Sequence, residues 1–379
     1  MILAIDASNI RSGGGLTHLA QILAQGNPQE HNISKVIIWS SQSTLDLLPT
    51  QPWLIKRTHK LLNKSFILTF VFQLIYISKF LKEDKVDLLF VPGGTFIGSF
   101  RNVVSMSQNM LPFEKVERNR FPKYSTKFKF LLLRITQSYT FKKSLSVIFL
   151  TEYAKNYIKK SVRIKNSIII SHGINLKFTN LPKKQREIES YTFNHPFKLL
   201  YVSIVTVYKH QWNIAEAIIK LRNEGYPIEL DLVGDSTPES LLKLYNVMKQ
   251  DTFNVINYKG LVSYQNLDKV YKNADGFIFG SSCENQPIIL LEAMSAGLPI
   301  LCSQMGPMPE VLGENQFYFN PLDVNSIYLN LKKFLNNFSE RETSAIKSYE
   351  RSTKYTWKEC ADNTFKALNE IYTNANNKK

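Results

Sequence analysis

Two glutamates with seven residues between them stand in the segment SSCENQPIILLEAMSAGLPIL, residues 281–301. The pattern predicts a strand, a tight loop and a helix, with Pro287 in the first helical turn, where its missing N–H costs nothing. Glu284 then lies in the loop and Glu292 inside the helix. Each carboxylate can accept two O–H donors, which suits the paired hydroxyls of a sugar or a ribose. The amides at the start of such a helix favour a phosphate.

A lysine and a glycine cluster stand at two further strand ends. Lys209 lies between the predicted strand and helix of YVSIVTVYKHQWNIAEAI, residues 201–218, where it can reach a phosphate as a point charge or be an ordinary surface lysine. The glycines that follow Ser12 either let the backbone approach a ligand or form a simple tight turn. Because no GxGxxG pattern is present and the second strand lacks a terminal acid, no dinucleotide cofactor is expected.

The segment 281–301, together with the strand before it and the small residues that end it, resembles the donor-binding motif of the GT-B glycosyltransferases, in particular the retaining family 4. This resemblance implies that Glu284 contacts the donor sugar and acts in catalysis with Lys209. It implies that Glu292 binds the ribose of the nucleotide. The implied donor-binding residues are Gly14, Gly15, Lys209, Gly234, Glu284, Asn285, Gln286, Pro287, Ile288 and Glu292.

The sequence departs from this family at two positions. Family members carry an arginine five residues before the lysine, and Ile204 stands there in this chain. The second cation for the diphosphate is therefore left to another basic residue or to backbone amides. The loop VSMSQNMLPFE, residues 104–114, resembles one that faces the donor sugar, but Gln108 and Asn109 stand where many relatives have histidine. We assign both to the acceptor side and expect no catalytic histidine there.

Near-continuous apolar strands alternate with helices along the chain, as in parallel sheets covered on both faces. The predicted fold class is α/β, and the resemblance implies the GT-B arrangement of two Rossmann-like, doubly wound domains facing across a cleft. The predicted segments are an acceptor-side domain over 1–178, a linker over 179–197, a nucleotide-sugar domain over 198–355, and a C-terminal helix over 356–379 that packs toward the first domain.

Composition and cysteine spacing indicate the class of protein and the cellular compartment to expect. Hydrophobic residues make up 44% of the chain, enough for real cores. The three cysteines are widely spaced and form no CxxC pair, so neither a disulfide framework nor a zinc site is indicated and a reducing cytoplasm is expected. The N-terminus is expected to be a strand rather than a signal peptide. The 12-residue apolar run 66–77 is too short to span a bilayer and is predicted to be a buried helix.

The net charge of +16 is concentrated in residues 53–160, which carry 20 Lys and Arg against 6 Asp and Glu. Such a basic half suits an anionic partner, namely a lipid leaflet, a polyphosphate carrier or nucleic acid, or else it is a solvated lysine-rich surface. No RRM, KH, helix-turn-helix or zinc-finger pattern is present, so nucleic acid is not expected. The inner face of the cell membrane is a candidate docking surface.

The resemblance implies a retaining transferase that moves a hexose from a UDP- or GDP-linked donor to a saccharide acceptor, a lipid-linked one in particular. Synthesis of surface polysaccharide such as O-antigen, lipopolysaccharide or capsule would need this reaction. No metal is expected, because no DxD motif is poised for one. Two alternatives stay open: a non-catalytic nucleotide-sugar-binding protein, since the arginine is missing, and an epimerase or phosphorylase of the same fold.

Overall fold

The computed structural model describes residues 1–314 and 316–377, apart from the side chain of Phe66. The chain divides into two units. The first comprises Met1–Arg118, Pro122–Gly173 and the chain from Tyr355 onward. The second comprises Asn119–Phe121 and Ile174–Lys354.

In its described residues, the first unit is built on a seven-stranded parallel sheet with the order β3-β2-β1-β4-β5-β6-β7. The sheet confirms the parallel arrangement predicted from apolar strands alternating with helices. Its central strands are buried along almost their whole length, as strands covered by helices on both faces must be. The strands are β1 Ile2–Asp6, β2 Lys35–Trp39, β3 Leu54–Arg57, β4 Leu88–Val91, β5 Val103–Met106, β6 Ser146–Phe149 and β7 Ser167–Ile169.

The second unit has a six-stranded parallel sheet with the order β10-β9-β8-β11-β12-β13 across its described part. Here the central strand β11 is buried at every position. The strands are β8 Phe197–Val202, β9 Ile228–Val233, β10 Ile256–Gly260, β11 Gly276–Phe279, β12 Ile300–Ser303 and β13 Phe317–Phe319.

The helices connect these strands. They are α1 Gly13–Gln25, α2 Gln42–Leu45, α3 Phe66–Ile75, α4 Ile77–Glu83, α5 Lys115–Asn119, α6 Tyr124–Lys143, α7 Glu152–Lys159, α8 Gln211–Asn223, α9 Pro238–Met248, α10 Leu267–Lys272, α11 Ile288–Ser295, α12 Met308–Leu312, α13 Val324–Asn336, α14 Phe338–Ser352 and α15 Trp357–Asn376. Short 3-10 helices cover Pro28–His31, Leu176–Phe178, Ile188–Ser190 and Tyr264–Asn266.

Each sheet has one place where the connections leave in opposite directions. In the first sheet β1 leads to β2 on one side while its neighbour β4 leads to β5 on the other. In the second sheet β8 leads to β9 and its neighbour β11 leads to β12. At such a switch point the loops at the carboxyl ends of the two strands separate and leave a crevice, which is where open α/β sheets bind ligands.

The prediction of a buried helix over 66–77 was wrong in part. The segment forms α3 and the start of α4, with a break at Tyr76. Ile67, Leu74 and Ile75 are exposed. The opposite face is buried, and it carries Gln73, whose amide donates to the Asp6 carboxylate at 2.8 Å. An apolar run cannot report that a helix presents part of that run to solvent.

The final helix and the segment 179–197 lie in different units. The final helix α15 is part of the first unit, where the Tyr372 hydroxyl donates to the Asp87 carboxylate at 2.9 Å. A Cβ on Gly173 would lie 2.2 Å from the backbone nitrogen of Trp357, so only glycine permits this close approach. Residues 179–197 lie in the second unit, where the hydroxyls of Thr179 and Ser295 are hydrogen-bonded at 3.1 Å.

Among the described helices, none is both long enough and apolar enough to cross a membrane.

Candidate functional site

Lys209 is a buried cation at the carboxyl end of β8. Its side chain is almost wholly buried and its ammonium group forms an ion pair with the Glu284 carboxylate. The backbone around it is held as well, because its N–H donates to the Thr206 carbonyl at 3.0 Å and its carbonyl accepts from the Tyr201 hydroxyl at 2.7 Å. The lysine and the first glutamate of the sequence motif are therefore brought together with little freedom.

Hydrogen bonds join the loop after β8 to the loop after β11. The Ser282 amide donates to the Tyr208 carbonyl at 2.9 Å, and the Ser282 hydroxyl pairs with Nε2 of His210 at 2.9 Å. His210 has a left-handed backbone (φ 53°), which is uncommon for a residue with a side chain. Burial chiefly, followed by the nearby charges of Arg120 and Lys243, lowers the pKa of His210 to about 3. It is therefore neutral near pH 7.

Glu292 is the second carboxylate of the motif and lies on α11 with 5% of its surface exposed. The Tyr271 hydroxyl donates to its carboxylate at 3.0 Å. Burial raises the pKa of Glu292 to about 7, although the Tyr271 bond and the charge of Lys177 act in the opposite direction. The Lys177 ammonium lies 3.4 Å from the centroid of the Tyr264 ring. Glu292 thus lies near the side chains of Tyr271, Tyr264 and Lys177.

Gly234 ends β9 beside this site. Its φ of 143° lies in the region that favours glycine, and a Cβ there would stand 2.2 Å from the Ser203 carbonyl oxygen. The Tyr258 hydroxyl donates to the Gly234 carbonyl at 3.0 Å. Ile204, at the position of the missing arginine, is 41% exposed. The glycine lets the ends of β8 and β9 approach each other, and the isoleucine adds no charge.

The loop into α11 contains the other implied donor residues. Asn285 and Gln286 are buried. Pro287, predicted in the first helical turn, is instead the N-cap, without a side-chain hydrogen bond, and its carbonyl accepts from the Leu290 amide at 3.1 Å. The amides of the first helical turn, beginning at Ile288, stand at the positive end of the helix dipole.

Four implied residues lie in the first unit. Gly14 and Gly15 are in the first turn of α1, which begins at Gly13 after β1. A Cβ on Gly15 would lie 3.3 Å from Oε1 of Gln108, so these two residues are neighbours. Asn109 accepts the Leu111 amide at 3.0 Å through its side-chain oxygen. The two sets of implied residues therefore gather separately, one set in each unit.

Comparison with known families finds a match within the second unit. Residues 183–351, somewhat less than half of the chain, match the family model described as glycosyl transferases group 1. The matched segment contains the Lys209–Glu284 pair, Gly234 and Glu292.

Curated relatives of this chain align over short stretches. The O-antigen chain mannosyltransferase B of Escherichia coli is 31% identical over 112 residues, 30% of this chain and 29% of that protein. The sulfoquinovosyl transferase of Arabidopsis thaliana is 32% identical over 123 residues, 31% of this chain and 24% of that protein. The alignments therefore span less than a third of either relative.

Solved structures resemble the whole chain. Sucrose-phosphate synthase from Thermosynechococcus elongatus has a TM-score of 0.77 at 15% identity, with both chains covered completely. Anabaena HepE, solved in complex with UDP-glucose, has a TM-score of 0.67 at 13% identity, again over the full length of both chains. These likenesses confirm the predicted fold class, GT-B.

Several residues of the site have no sequence signal. Lys177 lies in the part of the chain assigned to the first domain, and Tyr264 and Tyr271 are ordinary aromatic positions in a helical pattern. His210 was overlooked although it follows Lys209 directly. Its left-handed backbone and its hydrogen bond to Ser282 appear only in the structure. In residues 1–314 and 316–377, no three His, Cys, Asp or Glu side chains group as metal ligands.

Proposed function

We propose that this protein is a retaining glycosyltransferase that moves a hexose from a UDP- or GDP-linked donor to a saccharide acceptor. The observation that carries the proposal is the buried ion pair of Lys209 and Glu284, which joins the loops that follow β8 and β11 at the switch point of the second sheet. Glu292 is buried on α11, the helix that follows the Glu284 loop. The UDP-glucose complex of a structural neighbour supports a nucleotide-sugar donor.

The side chains suit the charges of such a reaction. When the bond from the anomeric carbon to the diphosphate breaks, its electron pair stays on the diphosphate oxygen. The Lys209 ammonium and the first amides of α11 would stabilise that charge in a water-poor site. The Glu284 carboxylate would accept sugar hydroxyls, and Glu292 would accept the two ribose hydroxyls. These groups need no metal ion, and we propose that the reaction uses none.

The acceptor we propose is a lipid-linked saccharide of surface polysaccharide synthesis. An O-antigen mannosyltransferase among the relatives supports this pathway. Gly14, Gly15, Gln108 and Asn109 are the proposed residues of the first unit for donor phosphate and acceptor contacts. The acceptor hydroxyl would attack the anomeric carbon from the face that the diphosphate leaves, and its proton would pass to the diphosphate oxygen.

The surface of helix α6 favours binding to an anionic membrane, and we propose that the protein rests on the cytoplasmic leaflet. Its exposed apolar side chains recur at helical spacing along one stripe, and they are Tyr124, Phe128, Leu131, Leu132, Ile135 and Tyr139. The helix contains five Lys and Arg and no Asp or Glu. An apolar stripe bordered by cations is the pattern that lies in the interface of an anionic bilayer.

Product analysis separates the transferase from its alternatives. The protein is incubated with UDP- and GDP-linked hexoses and lipid-linked saccharides, and products are resolved by mass spectrometry and NMR. We expect an extended saccharide with the anomeric configuration of the donor. An altered nucleotide-sugar without transfer would favour the epimerase, and binding without turnover would favour the non-catalytic protein.

A further inference from the structure

The proposed donor site is short of positive charge. Lys209 is already balanced by the Glu284 carboxylate, and Ile204 contributes no charge at all. The diphosphate of a nucleotide-sugar carries one negative charge on each phosphate. Without a further cation, those charges would meet only the paired Lys209 ammonium and neutral backbone amides, which would compensate poorly for their lost hydration.

A segment distant in sequence reaches this site. The chain leaves the first unit after Arg118, contributes Asn119–Phe121 to the second unit and returns at Pro122. The Phe121 ring packs near the Tyr208 ring, with centroids 6.4 Å apart. Tyr208 directly precedes Lys209 in the loop between β8 and α8. Arg120, beside Phe121, is therefore placed next to the loop that holds Lys209.

The electrostatics of the neighbouring groups agree with this placement. The Arg120 charge is close enough to lower the pKa of His210, the residue after Lys209, and that of Lys243. Lys243 lies on α9 with its ammonium 4.2 Å from the centroid of the Trp212 ring, and Glu216 is the acid that partly offsets it. Two cations converge around a neutral histidine, so an anion bound there would relieve their repulsion.

We propose that Arg120 supplies the diphosphate cation that position 204 lacks. The guanidinium can hold phosphate oxygens in a bidentate fork, as the family's arginine would from the adjacent loop. This inference rests on the proposed function, because it assigns a residue to the same donor site. Arg120 acts in it as a binding residue for the leaving group.

Calorimetric titration of the full-length protein with UDP, GDP, uridine and guanosine tests the inference. The variants are Arg120→Gln and Arg120→Lys, with Arg163→Gln, which removes an exposed arginine of the first unit, as the matched control. A lost charge-assisted bond should weaken binding of the preferred nucleoside diphosphate about tenfold or more in Arg120→Gln. Arg120→Lys should lose less, and the control should bind as the wild type does.

The nucleosides separate a local effect from misfolding. Arg120→Gln should bind the matching nucleoside as tightly as the wild type, because that contact involves no phosphate. If Arg120→Gln binds the diphosphate at full affinity, or loses the nucleoside equally, the role of Arg120 is overturned while the donor site stands. If the wild type binds neither UDP nor GDP, the proposed function fails, and this inference fails with it.

Discussion

Glu292 is the residue whose chemistry constrains the donor site most. Burial, opposed only in part by Tyr271 and Lys177, raises its pKa from 4.5 to about 7. In the free protein the protonated form is therefore favoured below about pH 7, and this group lowers the stability of the fold as the pH rises from about 4.5 through 7. In the proposed complex, ribose hydroxyls would stabilise the ionised form, because a carboxylate accepts both.

Donor binding should therefore strengthen as the pH rises. With a pKa of about 7, roughly nine-tenths of Glu292 is protonated at pH 6, so affinity for a nucleotide-sugar should be about tenfold weaker at pH 6 than at pH 8. A nucleotide-sugar is the right ligand for calorimetry, because its diphosphate has no terminal group that titrates in this range. His210, with a pKa of about 3, does not change charge there.

The control for this pH profile is Glu292→Gln. This variant keeps the size of the side chain and its bond to Tyr271 but has no proton to lose, so its affinity should be constant from pH 6 to 8. A flat profile in the wild type, or the same slope in Glu292→Gln, would show that Glu292 does not meet the ribose.

Candidate site residues can be predicted from the sequence where they belong to a short local motif. Lys209, Glu284 and Glu292 stand at strand ends and helix starts, so spacing alone made them candidates. Lys177, Tyr271 and Arg120 reach the site through packing between distant parts of the chain, which no local spacing encodes. The start of α11 was predicted one residue too early, because Pro287 is the N-cap and the first helical turn begins at Ile288.

At the scale of elements, buried strands were the easiest to predict. β2, Lys35–Trp39, is an apolar run after its first residue, which is the pattern expected of a covered strand. The run 66–77 was harder, because it contains a break at Tyr76 and turns several apolar side chains outward. The buried residues of α6 are Gln137, Thr140 and Phe141, so no apolar core face marks this helix in the sequence and the side that meets the unit could not be predicted.

The stripe of α6 should bind an anionic membrane. Purified protein should sediment at low salt with vesicles of phosphatidylglycerol and phosphatidylcholine, but much less with phosphatidylcholine alone. Replacing Phe128 and Ile135 together by glutamate puts charge into the stripe and should weaken this binding about tenfold or more.

The matched control for the vesicles is Leu329→Glu, which adds a charge at an exposed leucine of α13 in the second unit. This variant should sediment nearly as the wild type does. Equal binding by the α6 double variant, or no binding to anionic vesicles by the wild type, would remove the membrane from the proposal.

At the scale of the whole molecule, the alternation of apolar strands and helices was enough to predict two parallel sheets. The structure has them with seven and six strands in its described residues, and the solved neighbours share the GT-B fold. The choice of substrates, unlike the fold, cannot be predicted from this alternation. Donor sugar, nucleotide and acceptor depend on the shape of the crevices at the strand ends, and the same fold supports many such choices.

A thermal-shift screen tests the central claim most directly. The wild type, Glu292→Ala and the surface control Glu340→Ala are heated with UDP, GDP and their sugars in the presence of EDTA, each compared with its own ligand-free melting temperature. Ligand at about a hundred times its Kd should stabilise the wild type by about 2.7 kcal/mol.

The account predicts a rise in melting temperature with one nucleotide class in the wild type and in Glu340→Ala, and none in Glu292→Ala. It also predicts that EDTA does not remove the rise. No shift with any nucleotide in the wild type, or an undiminished shift in Glu292→Ala, would contradict the donor site proposed for this protein.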